Sequence, residues 1–190
     1  MTLTVRPLTP DRWTDFEALF GGASATRNCW CMWWRVPGNA WHDTTKDSRK
    51  AAFKAAVDIA PPGLLAYDDD HPVGWVHITP RADVPRFNNG LMSKPGDDVD
   101  FDRTWAITCF YTAPSHRKQG MMAAMARAAC YYAQKNGALR VEAAPMRPKP
   151  TLQRSEGYFG IAPALSRAGC DTVETRGENR LLMRWMAVVG

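Results

Sequence analysis

Apolar and polar positions along this chain follow two rhythms, one of period near two and one of period near 3.6. The switches between them predict the order β-α-α-β-β-β-α-β-α-β-β. Leu3 to Leu8 reads as a first short strand. Beyond Pro10, the residues Trp13, Phe16, Leu19 and Phe20 recur at the spacing of one helix face, so Asp11 to Phe20 is expected to be helical, with Gly21-Gly22 as its terminator. A second helix is expected from about Thr44 to Ala60. Asp43 or Thr44 would cap it, Phe53, Ala56, Val57 and Ala60 form its stripe, and Pro61-Pro62 stops it. Gly63 to Tyr67 and Val73 to Thr79 flank a polar run, Asp68 to Pro72, which is a hairpin signal. Residues 80–103 are rich in Pro, Gly, Asn and Asp and read as a long loop, a length often kept for function.

The second half repeats the alternation. Thr104 to Thr112 is a strand rich in aromatic and β-branched residues, broken by Pro114-Ser115. A helix follows from about Arg117 to Asn136 with Met122, Met125, Ala126, Ala129, Tyr132 and Ala133 on one face, and Gly137 stands where a helix commonly ends. Arg140 to Ala144 is a strand and Ile161 to Ala168 a short helix. Cys170 to Thr175 and Leu181 to Val188 close the chain as a hairpin. Strands alternating with helices call for a mixed α/β sheet covered on both faces.

Composition changes this picture little. The 190 residues suit one domain, expected to span 1–190 with its core at about 3–188. The net charge of +5 fits an anionic ligand, but a basic stripe with interleaved aromatics is missing, which argues against nucleic acid. Five irregularly spaced cysteines do not form a secreted disulfide framework, the N-terminus shows no signal-peptide core, and no apolar run reaches membrane-spanning length. The expectation is a cytoplasmic protein without a membrane partner. Cys29-x-Cys31 with His42 lacks a second ligand pair, so no metal is expected. Eight Trp and nine Met supply flat and adaptable apolar surface for a core or for a pocket.

The most informative stretch runs from Ile107 to Met122, where a strand enters a basic turn that opens a long helix. The first turn of a helix leaves N–H groups unpaired at the positive end of the helix dipole, a ready anion site. Arg117 and Lys118 add full charges, and Gly120 lets the backbone approach a phosphate. A pyrophosphate is the expected ligand.

This stretch resembles the acetyl-CoA-binding motif of the GNAT acetyltransferase superfamily, a strand followed by Arg/Gln-x-x-Gly-x-Gly/Ala and a helix. Here it reads Arg117-x-x-Gly120-x-Met122, with Met122 where the family keeps a small residue. The opening Val5-Arg6-Pro7-Leu8, the run Pro72-Val73-Gly74-Trp75 and the late Arg167-Ala168-Gly169-Cys170 also fall in the family's order. The resemblance implies a central mixed sheet of about seven strands splayed between the fourth and fifth, with about four helices on its two faces. It implies acetyl-CoA as co-substrate, its pantetheine along Cys109, Phe110, Tyr111 and Thr112. Main-chain groups of Phe110 and Thr112 would pair with the pantetheine amides, and a backbone N–H near Cys109 or Phe110 would polarise the thioester carbonyl. The pyrophosphate would lie on Arg117, Lys118, Gln119, Gly120, Met121 and Met122.

Acetyl transfer to an amine needs a neutral nucleophile, donors for the oxyanion and a proton for the leaving thiolate. The family's usual acid, a Tyr four residues before the late Gly, is Leu165 here, and the fourth strand carries no carboxylate. The substitutes in view are Tyr158 as acid, and Glu142, His77 or a water relay as base. Trp33, Trp34, Trp41 and Trp75 are candidates to line an acceptor pocket for an apolar or cationic amine. The leading expectation is acetylation of a primary amine on a small molecule in a ternary complex. A protein or aminoacyl-tRNA acceptor, or a non-catalytic acyl-CoA-binding module, stands as the alternative. A homodimer is compatible with all three.

Overall fold

A computed structural model describes residues 3–21, 26–148 and 156–188. The strands are β1 (Leu3–Pro7), β2 (Gly63–Asp68), β3 (His71–Pro80), β4 (Thr104–Thr112), β5 (Arg140–Ala143), β6 (Asp171–Arg176) and β7 (Arg180–Met186). The helices are α1 (Trp13–Gly21), α2 (Thr26–Cys29), α3 (Lys46–Ile59), α4 (Pro85–Asn89), α5 (Met121–Lys135) and α6 (Ala162–Arg167). The seven strands form one mixed sheet in the order β1-β2-β3-β4-β5-β7-β6. Neighbours pair antiparallel except β4 and β5, which run parallel.

Two departures from these strand ladders shape the middle of the sheet. The β4–β5 register covers only Thr104↔Arg140 to Ile107↔Ala143, while β4 continues to Thr112. Beyond Ile107 the two strands part and β4 keeps a free edge facing β5. On its other side, β4 pairs Cys109 with His77 and Ile107 with Ile78, so Thr108 is the extra residue of a β-bulge. A bulge breaks the alternation of side chains, and Thr108 and Cys109 both line the same cavity.

The two faces carry different cores. On one, α5 and α6 pack Met121, Met125, Ala126, Ala129, Ala133 and Leu165 against Val76, Ile78, Ile107 and Phe110. Small residues on α5 let it sit close to the sheet, and a Cβ added at Gly74 would fall 2.9 Å from Met125 Sδ. On the other face, α1 and α3 bury Phe16, Phe20, Phe53 and Val57 around Trp75. Removing one such ring costs about 3–5 kcal/mol.

Several boundaries differ from the sequence expectations for local reasons. Residues Pro10–Arg12 form a 3-10 turn, so α1 starts at Trp13. Gly22, half of its expected terminator, lies outside the described residues. Neither Asp43 nor Thr44 caps α3. Thr45 does, in a capping box with Ser48, at 2.9 and 3.1 Å in the two directions. The 80–103 segment is not a plain loop, since it holds a 3-10 turn, Arg81–Asp83, and α4. Helix α5 begins at Met121, four residues after its expected start, because Lys118 and Gly120 take left-handed φ values that a right-handed helix cannot contain.

Candidate active site

The region between β4 and α5 is built largely from backbone. Lys118 and Gly120 adopt left-handed φ values of 62° and 80°, which turns the chain sharply before α5 opens. The helical ladder begins with Ala123 and Ala124 donating to the Gly120 carbonyl at 3.1 and 3.3 Å. The N–H groups of Lys118 to Met122 have no acceptor among the described residues. They face a cleft of about 310 Å³ whose described lining includes His116, Arg117, Lys118 and Arg167 and no carboxylate. Arg117 Nε donates to the Thr112 carbonyl at 3.1 Å, which fixes its stem along the cleft. His116 Nε2 lies 3.1 Å from Asp68, which ties the turn to the end of β2.

The free edge of β4 forms the cleft's floor. Ala113 donates to the Val73 carbonyl at 2.8 Å, so in antiparallel alternation Tyr111 turns its main-chain groups to β3, and Phe110 and Thr112 turn theirs to the gap. The Thr112 carbonyl's bond to Arg117 on that side agrees with this. Met122 is half-buried at the cleft wall, where its Sδ accepts the Ile161 N–H at 3.4 Å. The bulky residue thereby bridges α5 to the segment entering α6.

A second cavity, of about 490 Å³, lies across β4. Side chains from distant segments line it: Phe20, Asn28, Cys29, Cys31, Trp33, Trp34, Trp41, Arg49, Thr108, Cys109, Tyr158 and Phe159 are among them. The backbone is bent hard to make this wall. Trp30 and Cys31 both adopt left-handed φ, 47° and 55°, a cost of about 1 kcal/mol or more for each residue. The bend sends Trp30 into the core beside Trp13, Phe16 and Phe20. It also turns Cys31 inward, where its Sγ accepts the Trp75 indole N–H at 3.0 Å. Burial pushes the Cys29 thiol up to about 11 and raises Cys31 as well, so both stay protonated near neutral pH.

The two cavities meet at Tyr158, which lines both. It sits in the 3-10 turn Glu156–Phe159 and stacks on Tyr111 with ring centroids 6.5 Å apart and planes 13° from parallel. Burial, and then the neighbouring Tyr111 and Cys109, raise its phenol above the usual tyrosine range. It therefore keeps its proton through neutral and mildly alkaline pH.

Three expected residues stand elsewhere. Glu142 is fully buried, 2.9 Å from Arg81 Nη1, and accepts from Arg184 at 2.7 and 3.0 Å. It lines neither cavity, and two guanidinium groups occupy the carboxylate a base would need free. His77 is also fully buried. Arg35 Nε can only donate, and it points at His77 Nε2 at 3.3 Å, so the ring hydrogen sits on Nδ1, directed at Thr108 Oγ1 at 2.6 Å. Both nitrogens are engaged, and burial, then Arg35, hold the imidazole well below its ordinary 6.5. The ring thereby holds Thr108, which lines the second cavity, and leaves the Thr108 hydroxyl free to donate elsewhere. Trp75 is wholly enclosed in the α1/α3 core and lines neither of these two cavities. Leu165, at the family's usual acid position, is likewise core.

Arg49, Arg167 and Thr108 are lining residues that the sequence does not single out for the site: Arg167 enters there only within the late Arg167-Ala168-Gly169-Cys170 run, Thr108 only as part of the fourth strand, and Arg49 not at all. Among the described residues, no group of three or more His, Cys, Asp and Glu side chains is placed to share a metal ion, and no helix is long and apolar enough to cross a membrane.

Comparison with known proteins bears on the family and the fold. The pattern of the acetyltransferase (GNAT) family matches residues 26–150. Among curated proteins, no sequence matches the chain. Solved structures share its fold at low identity. Aminoglycoside acetyltransferase AAC(6')-Ib in complex with ribostamycin and coenzyme A has a TM-score of 0.57 at 15% identity, over 98% of this chain and 94% of that one. The same enzyme with paromomycin and acetyl-CoA gives the same values. The PaiA N-acetyltransferase from Thermoplasma acidophilum, in complex with coenzyme A, has a TM-score of 0.51 at 12% identity, over 98% and 100% of the two chains.

Proposed function

The chain belongs to the acetyltransferase (GNAT) family, and from that premise we propose that it transfers an acetyl group from acetyl-CoA to the primary amine of a small molecule, both substrates being bound at once. The observation that carries this reading is the pair of cavities meeting at Tyr158. One is basic and floored by an open strand edge, and the other is aromatic.

The residues present fit the co-substrate. The N–H groups of Lys118 to Met122, with Arg117 and Lys118, suit the pyrophosphate, and Arg167 adds a third cation to the same wall. The gap-facing main chain of Phe110 and Thr112 suits the pantetheine amides. Bound acetyl-CoA supplies the acyl group in activated, thioester form. The Phe110 N–H, on the open edge two residues beyond the bulge, is a donor for the oxyanion. Tyr158 holds a proton on its phenolic oxygen where the cavities meet and can give it to the departing sulfur. Thr108, fixed by His77, offers a hydroxyl to the acceptor side.

Calorimetric titration with coenzyme A, followed by a thiol-release assay with acetyl-CoA and amines, tests the reading. Saturable binding and amine-dependent release are expected. Failure of coenzyme A to bind would refute it.

A further inference from the structure

The second cavity also carries information about the acceptor. Its described lining has six aromatic side chains and three thiols against one charged side chain, and holds no carboxylate. Its single lining charge is positive. Arg49 lies over the Trp41 ring at 3.6 Å, and its nitrogens donate to the Asn28, Trp41 and Thr44 carbonyls and to Thr44 Oγ1. Arg86 lies over the Trp33 ring at 3.7 Å and donates to the Gly38 carbonyl. Neither guanidinium has a carboxylate partner among the described residues.

Two consequences follow for an amine entering this space. An aromatic wall attracts cations through the negative faces of its rings, but here the protein's own arginines already cover a face of Trp33 and of Trp41. An ammonium would meet uncompensated positive charge in a cavity too apolar to solvate it. Burial of a flat apolar body, by contrast, is favoured against Trp33, Trp34, Trp41 and Phe159. Exclusion of the charged form also does part of a base's work, since the neutral amine is the nucleophile.

We infer that the acceptor is a monoamine with a flat, apolar body, bound in its neutral form, and that polycationic amines are excluded. This rests on the acetyltransferase reading above and narrows its substrate class. It sets the chain apart from the aminoglycoside acetyltransferase that shares its fold, because ribostamycin is a polyamine.

The test uses the whole chain with two readouts. Thiol release at saturating acetyl-CoA and neutral pH compares tryptamine and 2-phenylethylamine with spermidine and ribostamycin. Quenching of tryptophan fluorescence by 2-phenylethylamine, spermidine or ribostamycin, none of which carries an indole, reports amine binding without turnover. The aromatic amines are expected to show kcat/KM at least about 100-fold above the polycations, with saturable quenching by 2-phenylethylamine that Trp33→Ala weakens. Because Trp33 is 39% exposed, that variant keeps the core intact. Polycations turned over equally well or better would overturn the inference and leave acetyl transfer standing. Quenching by 2-phenylethylamine with no thiol release from either aromatic amine would uphold the cavity assignment and remove acetyl transfer instead. No quenching and no preference would sink the inference.

Discussion

The two cavities on either side of β4 are made from different material. The α5 cleft is mostly backbone: a left-handed turn at Lys118 and Gly120, a helix start and a strand edge, all within residues 110–123 apart from the 157–167 wall. The aromatic cavity is mostly side chain and gathers α1, the 26–49 region, β4 and the 158–159 turn. Backbone donors serve any ligand with a diphosphate, while side chains from separate segments vary independently. The contrast explains how one scaffold can hold a constant co-substrate on one side and a particular acceptor on the other.

The sharpest way to break this contrast is at Gly120. An aspartate there would carry a side chain into left-handed φ and set a carboxylate among the anion donors. Gly120→Asp is expected to weaken coenzyme A binding about 10³-fold by calorimetry, the loss of about two charge-assisted hydrogen bonds, with amine-induced fluorescence quenching unchanged. Next comes Glu142, the strand carboxylate that belongs to neither cavity. Glu142→Ala leaves Arg81 buried beside Arg184 without its counter-charge and should cost about 3 kcal/mol in urea unfolding. The kcat per folded molecule should persist, whereas a base would take it away.

Tyr158 belongs to both cavities, and a phenylalanine there keeps the ring that lines them while removing the proton, so binding should be spared on each side. Tyr158→Phe is expected to lower kcat about 100-fold with little change in either KM. The smallest effect concerns His77. Its imidazole stays neutral in the native state, while the unfolded chain takes up a proton below the ordinary 6.5. Stability should therefore fall as pH drops below 6.5, by at most about 1.4 kcal/mol per pH unit from this group. His77→Asn should flatten the slope in urea midpoints measured from pH 6.5 downward.

The same contrast governs what could be read from the sequence. Strand β4 is visible at its full length, Thr104 to Thr112, because a β-branched and aromatic run closed by Ala113-Pro114 leaves little choice. The turn proposed to hold the diphosphate is visible too, since its signal is local: a strand, a basic turn, a glycine and a helix. The helix start was misplaced because left-handed Lys118 cannot be anticipated from a lysine. Arg81 lay hidden in a segment that looked like a plain loop. Its burial against Glu142 joins positions 61 residues apart in sequence, and that distant pairing makes a promising base into a structural charge. Thr108 was silent because a bulge leaves no mark on a β-branched strand residue. Trp75 is core because it lies on β3 beneath α1 and α3, whereas Trp33 follows the bend at Trp30 and Cys31 and stands on the cavity wall, a difference that only the tertiary packing makes.

The central claim is that both substrates are present together, one on each side of β4, when the acyl group moves. Initial rates of thiol release with acetyl-CoA and tryptamine varied in a matrix test it directly. The account predicts intersecting double-reciprocal lines, as a ternary complex requires. Parallel lines, with acetyl-labelled protein recoverable in the absence of amine, would mean that the chain itself carries the acyl group between half-reactions and would contradict it.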